Sequence, residues 1–213
     1  MKKKYKLLKN DTIKVNNCIL YRIKALKDFG DVNKGDLGGY IEKEDNLSQN
    51  GNCWVYGNAC VFGNARVCDN SRVYDDACVY DNAQISGNAC VYDDAYVYDN
   101  AQISDNAWVR NDACVYDDAY VYDNAQISGN ACVSNDANIS SSFDYCTISS
   151  FGSEGRTTTF FKCKNGVIKV NCGCFNGTIN EFRDKVKETH GDNKYAQGYL
   201  KVADLIEWQL SDK

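Results

Sequence analysis

The chain has 213 residues, 44% of them hydrophobic and 12% aromatic, which is enough to bury a sizeable core and excludes general disorder. A formal charge of −5 argues against a broad nucleic-acid binder, because nothing would neutralise a phosphate backbone over a large area. No apolar run approaches the roughly 20 residues that span a bilayer, and the basic start at Lys2, Lys3 and Lys4 leads into alternating sequence, so a cytoplasmic protein with its twelve cysteines reduced is expected.

The first forty residues read as a β cap. Residues 4–8, 12–15 and 18–26 alternate as short strands, and Gly35, Gly38 and Gly39 mark a turn into the first coil of a repeat. From Val55 to Asn138 the chain divides without a gap into fourteen hexapeptides. The first position is Val eleven times and Ile three times; the fifth is Ala thirteen times and Ser once, at Ser71. Positions three and four draw only on Gly, Asp and Asn, which tolerate left-handed backbone. Prolines are absent, so these residues must make the turns. Each unit is therefore a short strand with one β-branched residue pointing inward, followed by a corner into which Ala packs.

Three such units make one 18-residue coil. Residues 73–90 and 91–108 are nearly the same coil twice, and a third copy, 115–132, begins 24 residues after the second, so the unit at 109–114 rotates the pattern by one face. The spacing continues upstream through Ile41 and Leu47, with a two-residue insertion before Val55 and Cys53 in the Ala slot, and it fails at Phe143. Somewhat over five coils at about 4.8 Å each predict a prism on the order of 25 Å long. The predicted division is a cap over 1–40, repeats over 41–148 and a tail over 149–213. In the tail, Thr157 to Lys164 and Val167 to Asn171 read as a hairpin joined by Asn165-Gly166. A capping box at Thr178 and Glu181 opens a helix closed by Gly191. A second helix, about 193–210, carries Tyr195, Tyr199, Val202, Ile206 and Leu210 on one stripe, with Leu205 beside it.

The pattern resembles that of the left-handed parallel β-helix hexapeptide-repeat proteins, whose well-known members are trimeric acyltransferases. The entry segment from Ala25 to Ile41, and Leu47 to Tyr56, resemble uncharacterised bacterial and phage hexapeptide proteins, some of them described as transferases. The resemblance covers about residues 20–140, with a weaker likeness at Val170 to Ile179. It implies an all-β fold, a left-handed parallel β-helix with a short N-terminal β cap and a small C-terminal α+β domain, and hardly speaks to function.

Side chains flanking each Val or Ile point outward, so three faces can be written down. Face one carries Trp54, Tyr56, Arg72, Tyr74, Cys90, Tyr92, Trp108 and Arg110. Face two carries Cys60, Phe62, Cys78, Tyr80, Tyr96, Tyr98, Cys114 and Tyr116. Face three is mostly polar until Tyr120 and Tyr122. Aromatic ladders on parallel strands stabilise by stacking alone, yet aromatic patches of this extent also read as interaction surfaces. Arg72 and Arg110 among Trp54, Tyr74, Tyr92 and Trp108 suit an anionic, planar ligand. Phe62, Tyr80, Tyr96, Tyr98 and Tyr116 suit an interface in a homo-oligomer, a trimer or a dimer.

The corner residues Asp75, Asp76, Asp93, Asp94 and Asp112, and Asp81, Asp99, Asp117, Asp118 and Asp136, must be solvated, bonded to turn amides, or bridged by a cation such as calcium. Cys163, Cys172, Cys174 and His190 have weak zinc-ligand spacing, so no metal or cofactor is assigned. His190 is the one histidine; the resemblance implies a histidine base for acyl transfer, but this one closes a tail helix outside the repeat. The leading expectation is a non-catalytic, phage-like binding protein acting in the host cytoplasm as a counter-defence factor, capturing a nucleotide-like ligand or a host protein, without direct nucleic-acid or membrane binding. An acyltransferase, a structural module and an acidic nucleic-acid mimic are the alternatives.

Overall fold

The computed structural model describes residues 3–211. Between them the hexapeptides stack as a parallel β-solenoid with three faces. Face two is a sheet containing Leu37–Ile41 and the pairs that start at Cys60, Cys78, Tyr96, Cys114 and Cys132, each in register with residues 18 further on from Cys60 onward. Face one stacks Trp54, Arg72, Cys90, Trp108 and Gln126, and face three stacks Arg66, Gln84, Gln102, Tyr120 and Asn138. The expected 18-residue coil and the rotation at 109–114 are both present.

Local chemistry explains the regularity. Every third-position residue from Gly57 to Asn135 has a positive φ, which is why only Gly, Asp and Asn occupy the slot. Each first-position Val or Ile and each fifth-position Ala is at most 1% exposed, so the interior is a dry column of β-branched and methyl side chains. Ser71 fits among the alanines because its hydroxyl donates to Cys68 O at 2.6 Å and Ile85 O at 3.1 Å.

Outside the two-residue strands the inter-coil bonds have one polarity: the earlier coil's N–H donates to the later coil's C=O, as in Tyr56 to Val73 and Asn58 to Asp75. Turn carbonyls of the first coil and turn amides of the last are thus left without a coil partner. Side-chain donors from the N-terminal segment meet the carbonyls. Lys4 Nζ donates to Cys53 O at 2.9 Å and Asn50 O at 3.3 Å, and Tyr5 Oη reaches Leu47 O at 2.6 Å. Arg22 reaches Gly57 O at 3.3 Å. At the other end the tail supplies acceptors: Ser142 Oγ, Tyr145 Oη and Thr159 Oγ1 receive the amides of Gln126, Ser128 and Cys132.

The cap is an antiparallel hairpin, β1 (Tyr5–Val15) and β2 (Cys18–Ala25), with β2 also pairing β3 (Leu37–Ile41). A register shift between Leu8 and Thr12 interrupts β1, and beyond it Ile13, Val15 and Leu20 pack on Tyr40, Cys60 and Phe62, the outer surface of face two. Gly38 and Gly39 lie within β3 rather than in a turn; Gly35, with φ 104°, makes the turn. A Cβ at Gly39 would sit 2.5 Å from Ala59 O, so the glycine permits close approach to the first coil. Gly39→Val should lower the urea midpoint by the equivalent of about 1–3 kcal/mol, while Gly129→Asn, facing open space in a slot where Asn111 and Asn135 already adopt a positive φ, should cost far less.

The last solenoid strand is Asn138–Ile139, and Phe143, in the slot where the repeat fails, is 80% exposed. The tail sheet starts at Tyr145, so a boundary at 148 would cut its first strand, Tyr145–Phe151. Four antiparallel strands run Tyr145–Phe151, Arg156–Lys162, Ile168–Cys172 and Phe175–Thr178. The expected hairpin is present, although Cys163 N bonds Val167 O, which lengthens the connection by one residue. Helix α1 (Ile179–His190) opens on the expected capping box and ends at Gly191; α2 (Lys194–Leu210) is capped by Asn193. Its buried stripe is Ala196, Tyr199, Ala203, Ile206 and Leu210, while Tyr195 and Val202 are half-buried at its margin. No helix among the described residues is long and apolar enough to cross a membrane.

Candidate functional site

The expected ligand residues of face one do not act as one group. Trp54 is 1% exposed, packed edge-on against Tyr5 at 6.1 Å and Phe29 at 5.3 Å, so it is a core residue under the cap and offers no stacking surface. Asp31, from the loop between β2 and β3, closes over the next coil: it accepts from Tyr56 Oη at 2.8 Å and pairs with Arg72 at 3.7 Å. Arg72 also donates to Tyr74 Oη at 3.3 Å, and that bond raises the guanidinium pKa. Burial in turn pushes the Tyr74 phenol up against the opposing pull of Arg72. Arg72 is therefore an internally satisfied cation.

Two coils further, about 10 Å away at the usual strand spacing, the surroundings change. Trp108 is 40% exposed and meets Tyr92 edge-on at 6.1 Å. Arg110 lies beside them with one long bond, 3.4 Å to Tyr92 Oη, and its Nε is buried without a partner. An orphaned guanidinium N–H is unusual in a folded chain. Tyr92, Trp108 and Arg110 form the open part of face one, with Tyr74 at its border.

Face two is a ladder whose ends are covered by the same chain. Phe62, Tyr80, Tyr98 and Tyr116 stack at 5.0 Å per step. Phe62 is buried under the hairpin, which removes it from the expected oligomer interface. Tyr116 Oη meets Asn171 of the tail sheet at 3.5 Å. Tyr96, 43% exposed, is left with Tyr80 and Tyr98 in the window between hairpin and tail. Burial pushes the Tyr80 phenol up to about 12. Beside the ladder, Cys60 pairs in register with Cys78, and Cys114 with Cys132. In the latter pair the adjacent Cys114 thiol holds Cys132 down to about 7. Cys132 should accordingly alkylate faster with iodoacetamide than Cys114; equal rates would refute that ordering of the two thiols.

Of the ten corner carboxylates, Asp93 and Asp117 are bonded to turn amides, as is Asp69 beside them. Asp69, Asp93 and Asp117 each accept from the backbone N–H one coil later, at Gly87, Asn111 and Asn135, all at 3.1 Å. Fourth-position side chains form amide ladders at 3.1 to 3.4 Å from Asn52 through Asn70, Asn88 and Asn106 to Asn124. No group of three or more metal-ligating side chains assembles among the described residues. Cys163 belongs to the solenoid core, away from Cys172 and Cys174.

Those two cysteines line a cavity of about 490 Å³ in the tail, together with Arg156, Lys185, His190 and Tyr199 over a floor of Phe175, Phe182 and Val186. The His190 ring lies against Tyr199, centroids 5.8 Å apart and planes 22° apart. No hydrogen bond from His190 to a carboxylate is present among the described residues; Tyr199 and Tyr195 pack against its ring instead. Sequence does not reveal this cavity, since its lining comes from two strand connections, α1 and Tyr199 of α2.

The protein-family description "YdcK Beta solenoid repeat" matches residues 83–99 and 125–140. This chain is a hexapeptide-repeat β-solenoid. It is also similar to a curated Escherichia coli (strain K12) protein named "Uncharacterized acetyltransferase YdcK", 50% identical over 40 residues. That stretch is 19% of this chain and spans about an eighth, 12%, of the relative. The family-model match lies in the repeat, and the relative's name concerns acetyl transfer, so the comparisons lend no support to a phage counter-defence role.

Proposed function

We propose that this solenoid is a non-catalytic binding protein that captures a planar, anionic small molecule of nucleotide type on face one. The observation that carries the reading is Arg110: a guanidinium with a buried, unpartnered Nε, set between Tyr92 and an exposed Trp108. An anion pairs with the guanidinium head, and the rings supply stacking surface worth roughly 1–3 kcal/mol per base. In a chain of net charge −5, an anion is held only where a cation breaks the acidic field. Equilibrium dialysis with a nucleoside triphosphate and its parent nucleoside tests this. The triphosphate should bind more tightly, and Arg110→Ala should weaken it at least tenfold, about 1.4 kcal/mol. His190→Ala should leave binding unchanged. If neither compound binds, capture of a protein partner replaces this reading.

A second reading, acyl transfer, is favoured by the name of the Escherichia coli relative and by the placement of His190, Arg156 and Lys185 around one cavity. Turnover of acetyl-coenzyme A that is lost in His190→Ala and kept in Arg110→Ala would favour it.

A further inference from the structure

In the first coil the alanine slot holds Cys53, where thirteen of the fourteen hexapeptides carry Ala and one carries Ser. Facing it is Lys4, the one fully buried charged side chain among the described residues. Nζ lies 3.2 Å from the Cys53 Sγ, with the Phe29 ring 5.0 Å away as a lid. Cys53 is itself completely buried. Amine and thiol are thus held in contact in a closed compartment, one from the N-terminal cap and one from the first coil.

We propose that Lys4 and Cys53 are a modification site at which dioxygen forms a covalent N–O–S link between the cap and the first coil. In the net reaction one amine N–H, the thiol S–H and the O–O bond break, and an N–O and an O–S bond form. Nitrogen and sulfur each give up two electrons, which together reduce one dioxygen. One oxygen atom stays in the link, and the other leaves as water with the two hydrogens. Burial lowers the Lys4 ammonium pKa, which raises the share of neutral amine that such a step requires. Dioxygen is small and apolar enough to reach a site that larger oxidants cannot. This inference is independent of ligand binding on face one.

The test is mass spectrometry of the full chain after incubation in air-saturated buffer, with peptide mapping before and after thiol reductant. The expected result is a cross-linked pair containing Lys4 and Cys53, heavier than its two peptides by one oxygen less two hydrogens and abolished by reductant. Under oxygen-18 gas the link should carry the heavy isotope. Cys53→Ala restores the repeat's own residue, so it should fold and give no link; Lys4→Arg should also give none. Folded wild type with no cross-link, or Cys53 oxidised to a sulfinic acid while Lys4 is unmodified, overturns the proposal.

Discussion

Val97→Asp should yield no folded protein. Val97 is fully buried, in register between Val79 and Val115, and its column is lined by Ala and β-branched side chains along the whole prism. An ionised carboxylate there has no donor and no room for water; even the neutral acid costs several kcal/mol. Against a typical total stability of about 5–15 kcal/mol, that is decisive. Val97→Ile is the matched control, because Ile85, Ile103 and Ile127 already occupy this slot on other faces. Soluble fraction and the far-ultraviolet spectrum distinguish the outcomes. A soluble Val97→Asp protein with an unchanged β spectrum would refute the register.

That register is legible because one slot repeats fourteen times, so a single misplacement would bury every Tyr and expose every Val. The faces are legible for the same reason. What escapes is everything decided by docking between segments. Trp54 and Phe62 occupy outward slots, and nothing local shows that Tyr5 and Phe29 cover the first or that Ile13, Val15 and Leu20 fold over the second. Gly38 and Gly39 read as turn residues because glycine marks turns more often than close backbone approach. In α2 the sequence stripe runs through large residues, whereas Ala196 and Ala203 are what let the helix approach the tail sheet. Arg72 and Arg110 look equivalent in the repeat, yet Asp31 neutralises only the first.

Lys4→Met should cost several kcal/mol, on the order of 3, read as a lower urea midpoint. The substitution keeps most of the volume and removes the donor, so the carbonyls of Cys53, Asn50 and Gly51 lose their bonds to Nζ inside the cap. Leaving buried acceptors unsatisfied is the larger part of the loss, since the aliphatic stem is replaced. Lys4→Arg, which retains a cation and its donors, should recover part of the stability. If Lys4→Met unfolds at the wild-type midpoint, water reaches the first coil and the cap does not seal it.

Because each coil bonds only to the one before and the one after, the solenoid tolerates changes in length only in certain units. Excising residues 91–108 removes a whole turn and rejoins Ala89-Cys90 to Val109, the neighbours that those residues separated, so every downstream residue keeps its face and the rod is shorter by about 4.8 Å. Removing a single hexapeptide also preserves the interior, yet it carries all later side chains one face around. The unit at 109–114 has this effect, and it places Tyr120 and Tyr122 on face three, where they stack at 4.5 Å. A one-residue change does neither, since it turns valines outward. Length and surface are therefore separately inheritable traits of this chain, the first varying by eighteens and the second by sixes.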